Sequence, residues 1–169
     1  MAVVIADTSP VNYLILIGEI ELLPSLYGRI VLPDIVLREL RDPGTPAPVA
    51  IWAMALPDWI EVVPAPADNT GISPLDPGER AAISLARSYG DRTETFLLMD
   101  DSAGRVEAAR LGLQVTGTLG ILRAASIKQL TDIESALDRL SQTNFYLPSR
   151  LAAFLRAEAR SRSRAVRPQ

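Results

Sequence analysis

The segment TFLLMDDSAGRVEAARLGLQVTG, residues 95–117, contains the alternation on which the fold depends. Its apolar run TFLLM (95–99) predicts a strand, SAGRVEAARLG (102–112) predicts a helix, and LQVTG (113–117) predicts a second strand. A strand, a helix and a strand in this order form a parallel pair, because the helix carries the chain back to the end where the first strand began. Two acids, Asp100 and Asp101, follow the first of these strands directly.

The same alternation runs through most of the chain. Three earlier apolar runs predict strands, and helical patterns lie between them: AVVIA (2–6), RIVL (29–32) and WIEVV (59–63). Thr8 or Ser9 is expected to cap the first helix, and the Pro-rich and Ala-rich residues 64–74 are expected to form a surface loop. We therefore predict an α/β fold with a mostly parallel central sheet that helices cover on both faces.

Composition limits the possible chemistry. The chain of 169 residues is 48% hydrophobic and 22% charged, which suits one domain with a substantial core. It has no cysteine and no histidine, so disulfides, thiolate zinc sites and the commonest general base are excluded. No apolar stretch reaches the ~20 residues that a membrane span needs, and no basic leader precedes the first strand pattern. We expect a soluble, cytoplasmic protein.

Acids stand at the ends of predicted elements. Asp7 follows AVVIA, and the Asp100-Asp101 pair follows TFLLM, so these acids lie at the carboxyl ends of strands, where α/β sheets form their sites. Each acid also has a structural explanation. Asp7 can end its strand or assist the helix cap, and one member of the Asp100-Asp101 pair can cap the next helix. One cap needs only one acid, so the pair leaves a spare carboxylate.

Two further acids lie on predicted helices. Glu39 falls between Ile35 and Val36 on an apolar helix face, which is a costly place for a carboxylate. Either a ligand or a salt bridge with Arg38 or Arg41 would compensate this cost. Asp76 and Glu79 match a capping box, so either a cap or a ligand explains Glu79. Carboxylates gathered from several elements repel one another unless cations neutralise them, and Mg²⁺ and Mn²⁺ prefer oxygen ligands. Metal-assisted phosphodiester cleavage is the simplest chemistry for this set.

Taken in order, several segments resemble PIN-domain nucleases, most of all the prokaryotic branch that includes VapC-type toxins. The resemblance extends from about Ala2 to Ile127 and rests on the following stretches: DTSPVNYL (7–14), VLREL (36–40), LDPGERAAISLA (75–86), LLMDDSAGRVEAARLGLQV (97–115) and GTLGIL (117–122). It implies a three-layer α/β/α sandwich with extra C-terminal helices. It also implies cleavage of single-stranded or structured RNA with Mg²⁺ or Mn²⁺, and a small antitoxin partner that blocks the site.

The resemblance assigns roles to residues by position. Its catalytic acids match Asp7, Glu39, Glu79 and Asp100, and Asp101 is a fifth candidate metal ligand. Which of Asp76 and Glu79, and which of Asp100 and Asp101, reaches the metal stays open. Thr8, Ser9 and Thr118 are candidate accessory residues; Thr118 is also expected to cap the helix that follows Gly117. A homodimer is a further possibility, because two-fold pairing is common.

The C-terminal part differs in character from the rest. We divide the chain into a nuclease core (1–127), a helical extension of the same domain (128–160) and a basic, flexible tail (161–169). Residues 150–169 contain six arginines and one glutamate, and these arginines either form a solvated end or contact RNA phosphates.

Other classes of protein remain as alternatives. In a non-catalytic interaction domain, the acids would serve as helix caps and surface charge. A receiver domain would need an acid pair after the first strand and a lysine after the last, and the chain has neither. A phosphatase with an Asp-x-Asp nucleophile is disfavoured, because the second aspartate is missing from Asp7-Thr8-Ser9.

Overall fold

Five parallel strands form the centre of the protein. The computed structural model describes residues 2–67, 74–90 and 93–165. The strands are β1 (Val3–Ala6), β2 (Ile30–Pro33), β3 (Ile60–Val63), β4 (Thr95–Leu98) and β5 (Gln114–Thr116). They lie in the order β3-β2-β1-β4-β5, and every pair of neighbours is parallel. The predicted α/β class and parallel sheet are confirmed.

Helices cover both faces of this sheet. They are α1 (Thr8–Leu16), α2 (Leu22–Tyr27), α3 (Asp34–Leu40), α4 (Ala47–Met54), α5 (Pro77–Ser88), α6 (Ser102–Arg110), α7 (Thr118–Ile127), α8 (Ile133–Ser141) and α9 (Ser149–Ala165). Alternate side chains of β1 point to opposite faces of the sheet. Val4 and Ala6 pack with α1–α4 and α7–α9, whereas Ile5 packs with α5 and α6. This alternation produces the three α/β/α layers.

The first helix begins one residue earlier than its sequence indicates. Asp7 occupies the N-cap position, and its side chain makes no capping hydrogen bond. The predicted cap at Thr8 or Ser9 is therefore wrong, because Thr8 is already helical and its hydroxyl bonds Glu39 instead. Of the predicted loop 64–74, residues 68–73 lie outside the described residues, and residues 64–67 belong to no helix or strand.

The C-terminal helices pack against the face that carries α1 and α7. Leu155 of α9 is 2% exposed and joins the larger core cluster. The helix continues to Ala165, five residues beyond the predicted boundary at residue 160, while residues 166–169 lie outside the described part of the chain. Within that part, no helix is both long and apolar enough to span a membrane.

Arginines on and beside α9 pair with acids of the neighbouring helices. Arg160 binds Glu134 of α8 through two hydrogen bonds of 2.6 and 2.7 Å, and Arg156 contacts Asp138 at 2.6 Å. Arg123 of α7 reaches Glu158 in the same two-bonded manner, at 2.9 and 2.7 Å. Arg156 and Arg160 of the basic C-terminus therefore help to hold α9 against α8. The sequence had suggested only a solvated end or contacts with RNA phosphates for these arginines.

Candidate metal centre

The candidate site lies where the strand order reverses. From β1 the chain first adds β2 and β3 on one side of the sheet, and later adds β4 and β5 on the other. Ala6 of β1 is paired with Leu98 of β4, and the Asp7 amide donates to the Leu98 carbonyl at 2.9 Å. The residues just past these strand ends, Asp7 and Asp100, are therefore brought to the same edge, the usual place for a site in such sheets.

Asp7 is buried without full compensation. It is 3% exposed, and among the described residues its Oδ1 atom has no hydrogen-bond partner. Burial, the largest cause, raises the pKa of Asp7 well above its usual value. The charges of Asp76, Glu79 and Glu39 raise this pKa further, and the Thr8 amide opposes them. A buried carboxylate oxygen without a donor is suited to receive a cation.

Glu39 is turned toward Asp7 by two donors. The Thr8 hydroxyl donates to its Oε2 atom, and the Gly78 amide donates to Oε1 at 2.9 Å. Burial raises the pKa of Glu39, while the Thr8 bond lowers it. The alternative salt bridge with Arg38 or Arg41 is wrong, because Arg38 pairs with Asp34 and Arg41 donates to the Ala53 carbonyl.

Asp76 and Glu79 form the predicted capping box at the start of α5. The Asp76 Oδ1 atom accepts from the Glu79 amide at 2.8 Å, and the Glu79 Oε2 atom accepts from the Asp76 amide at 3.1 Å. Burial, the largest cause, raises the pKa of Glu79 to about 7, and the charges of Asp76 and Asp101 act in the same direction. The cap therefore exists, and it also directs two carboxylates toward the edge that holds Asp7.

Three carboxylates come close enough to share one ion. One oxygen from each of Asp7, Glu39 and Asp76 lies within 4.8 Å of the other two. Among the described residues, Glu79, Asp100 and Asp101 do not complete another such group. Of the two acids at the start of α5, Asp76 thus has an oxygen within this group, and the charge of Glu79 raises the pKa of Asp7.

The two aspartates after β4 have separate tasks. Asp101 is the N-cap of α6 and accepts from the Gly104 amide at 2.8 Å. Asp100 accepts two bonds of 2.7 Å from the amide and hydroxyl of Thr118, which is fully buried. Burial raises the pKa of Asp100, whereas the Thr118 bonds and the charge of Arg105 lower it. Asp101 is therefore the member of the pair that caps α6, and Asp100 is held instead by the first residue of α7.

The accessory candidates divide in the same way. Thr8 and Thr118 each orient a carboxylate, of Glu39 and Asp100 respectively. Thr118 does not cap α7 with its side chain, because it is the first residue of that helix and Gly117 occupies the N-cap. Ser9 makes no side-chain hydrogen bond to any residue that the structure describes.

Two glycines support the acids, and the sequence reasoning missed them both. A Cβ atom at Gly78 would lie 2.9 Å from the Glu39 Cδ atom, and one at Gly117 would lie 2.6 Å from the Asp100 Oδ1 atom. Each glycine leaves room for a carboxylate beside the backbone. The available signal was the position of each glycine at a helix start, in Asp-Pro-Gly-Glu and Thr-Gly-Thr.

The donor set fits a hard divalent cation. The three clustered ligand atoms are carboxylate oxygens, which Mg²⁺ and Mn²⁺ prefer, and an oxygen of Asp7 has no donor among the described residues. The chain belongs to the PIN-domain family, since a family model described as "DUF3368: PIN domain" matches residues 3–161. That match includes α8 and most of α9. The comparison with curated proteins gave no match.

Proposed function

We propose that the protein is a Mg²⁺- or Mn²⁺-dependent endoribonuclease and the toxin of a VapC-type toxin–antitoxin pair. The family supplies the nuclease fold, and one observation carries the catalytic proposal. Oxygens of Asp7, Glu39 and Asp76 lie within 4.8 Å of one another, and the Asp7 Oδ1 atom has no donor among the described residues. Three acids in this arrangement are costly to fold unless they serve a cation.

We assign the acids two kinds of role. Asp7, Glu39 and Asp76 hold the ion directly, and Glu79, Asp100 and Asp101 line the space beside it. A bound Mg²⁺ or Mn²⁺ supplies positive charge that polarises the scissile phosphodiester and acidifies a water. We retain Asp7, Glu39, Glu79 and Asp100 as the catalytic acids.

The remaining residues act by orienting these acids. Thr8 fixes the rotamer of Glu39, and Thr118 holds both oxygens of Asp100. Because each bond comes from the first residue of a helix, the carboxylates stay in place before any substrate arrives. Such preorganisation lowers the cost of gathering charge at the reacting phosphate.

The interaction-domain alternative has support at some of these positions. Asp76, Glu79 and Asp101 all make helix-capping bonds, which explain them without catalysis. Capping does not explain Asp7, whose side chain makes no capping bond. Glu39 lies within α3 and accepts from the Gly78 amide in the first turn of α5, which accounts for one of its two oxygens. The buried Asp7 carboxylate therefore favours the nuclease.

Cleavage of labelled single-stranded RNA tests the enzyme proposal. The wild type is expected to cut with Mg²⁺ or Mn²⁺ and to stop with EDTA, and Asp7→Asn and Asp100→Asn are expected to lose activity. Asp58→Asn is the matched control, because Asp58 is exposed and precedes the amino end of β3. Cutting that survives chelation, or that both site variants retain, rejects the mechanism.

The toxin proposal rests on resemblance and needs its own test. Expression of the chain alone should stop growth, and co-expression with its neighbouring open reading frame should restore it. Equal growth in the two cases would reject the toxin role without affecting the nuclease proposal. We further propose that the protein acts in the cytoplasm of a prokaryote; a homodimer stays open and is checked by sedimentation.

A further inference from the structure

A groove runs from the acid site to the C-terminal helix. It has a volume of about 500 Å³, within the range of small-ligand pockets. Asp100 and Arg105 line one part of it, and the aromatic side chains Tyr146 and Phe154 line another. We call it the Tyr146 groove. It joins the candidate catalytic edge directly, since Asp100 belongs to both.

Several exposed apolar side chains line this one groove together. Tyr146 is 84% exposed and Phe154 is 56% exposed, and exposed apolar side chains that share one surface mark a binding site more often than isolated ones do. Leu151, also in the groove, is 39% exposed. The result is an open aromatic surface beside a site that binds phosphates in the proposed reaction.

The loop that presents Tyr146 is held to the site. The Tyr13 hydroxyl of α1 donates to the Asn144 Oδ1 atom at 3.0 Å, and the Tyr13 ring packs edge-on against Phe145 with centroids 4.9 Å apart. The Asp100 charge is near enough to raise the pKa of Tyr13, although burial is the larger cause. The aromatic wall is therefore positioned against the acids by α1.

One positive charge in the groove has no salt-bridge partner within the described part of the chain. Arg123 is bound by Glu158 through two hydrogen bonds, which neutralise it. Arg105, by contrast, makes no salt bridge with any described residue, and its charge acts on Asp100. A groove with an aromatic wall, one available guanidinium and a neighbouring cation site matches a nucleotide, which offers a flat base and a phosphate.

We propose that the Tyr146 groove binds one unstacked base of the RNA strand, next to the phosphate that is cut. The inference rests on the proposed ribonuclease function and adds to it a subsite for one base beside the acids. The base packs against the aromatic wall that Tyr146 and Phe154 form, and Arg105 contacts the phosphate between the groove and the acids. Bases within a duplex are stacked on their neighbours and cannot enter, so the groove selects for loops and unpaired segments.

Steady-state cleavage of a single-stranded RNA tests the groove. Tyr146→Ala and Phe154→Ala are expected to raise KM by about 5-fold to 150-fold, the value of losing one stacked base, and to change kcat much less. Tyr146→Phe keeps the ring and should restore the wild-type KM. Met54→Ala is the matched control, because Met54 is 71% exposed on α4, away from the groove.

A scan with single abasic nucleotides locates the base. One abasic position should raise the wild-type KM, and at that position the alanine variants should add little further loss, because both changes remove the same contact. Cleavage by the wild type with no effect of either variant, and no sensitive abasic position, overturns the groove proposal but not the ribonuclease proposal. Unchanged KM with an altered sedimentation coefficient would assign the surface to a second copy or a protein partner. Absence of any RNA cleavage rejects the function itself.

Discussion

Replacing Asp7 by asparagine should make the metal-free protein more stable and make it insensitive to divalent cations. Asp7 is 3% exposed, and its Oδ1 atom has no donor among the described residues. A buried acceptor that lacks a partner costs about 1–3 kcal/mol, and more when it is charged. Asparagine removes the charge but still brings a polar amide, so we expect a gain of about 1–2 kcal/mol.

The gain can be measured as a shift in melting temperature. For a chain of this size, 1 kcal/mol corresponds to roughly 2–4 °C, so Asp7→Asn should melt about 2–8 °C above the wild type in EDTA. Mn²⁺ at a hundred times its Kd should stabilise the wild type by about 2.7 kcal/mol and leave the variant unchanged. Asp58→Asn should resemble the wild type in both conditions, because Asp58 is exposed.

The pH dependence of the gain follows from the raised pKa of Asp7. The folded protein favours protonated Asp7, so ionisation destabilises it as the pH rises above about 3.9, the usual pKa in an unfolded chain. The advantage of asparagine should therefore be full above the raised pKa and vanish as the pH falls to about 4. The reasoning is refuted if Asp7→Asn is no more stable than the wild type in EDTA, or if Mn²⁺ stabilises both equally.

Three further predictions concern other parts of the structure. Gly78→Ala should weaken Mn²⁺ binding by about tenfold to a hundredfold in calorimetry, because the new Cβ atom displaces the carboxylate beside it. Arg105→Gln should lower the log–log salt dependence of RNA affinity by about 1, measured by fluorescence anisotropy, if it contacts one phosphate. Leu155→Ala should cost about 2–5 kcal/mol in denaturant unfolding with one transition, because this side chain anchors α9 in the core.

Each of the three predictions has a control variant and a result that would contradict it. Gly44→Ala should bind Mn²⁺ normally, and equal weakening there would show a general effect of the substitution. Arg164→Gln, at the exposed end of α9, should leave the salt dependence of RNA affinity unchanged. If it lowers the salt dependence as much as Arg105→Gln does, Arg105 makes no specific phosphate contact. Phe154→Ala should cost little stability, since that side chain is 56% exposed. Two transitions for Leu155→Ala would make residues 128–165 a separate unit rather than an extension of one domain.

The sheet could be predicted because its signals are local. AVVIA and TFLLM are too short and too apolar for other elements, and the helices between them require parallel pairing. Parallel pairing in turn brings the acids at the ends of these two strands to one edge of the sheet. The first helix cap could not be predicted in the same way, because the Thr8 hydroxyl bonds Glu39, 31 residues away.

The different roles within each acid pair depend on contacts between residues that are distant in sequence. Asp76 and Glu79 both satisfy the cap pattern, and only the approach of Glu39 and Asp7 places an Asp76 oxygen within their group. Asp100 and Asp101 are adjacent, and their different hydrogen bonds depend on Thr118 from a later helix, which binds only Asp100. The ion pairs of the C-terminal arginines could not be predicted from the sequence for the same reason, because their acidic partners lie mostly on α8.

The most direct test of the central claim is the anomalous difference map of a Mn²⁺-soaked crystal. We predict a peak about 2.0–2.2 Å from carboxylate oxygens of Asp7, Glu39 and Asp76, at the carboxyl ends of β1 and β4. The peak should be absent from crystals of Asp7→Asn grown and soaked in the same way. A wild-type map with no peak at these three acids, or with Mn²⁺ bound only at surface acids such as Asp58, would contradict the account.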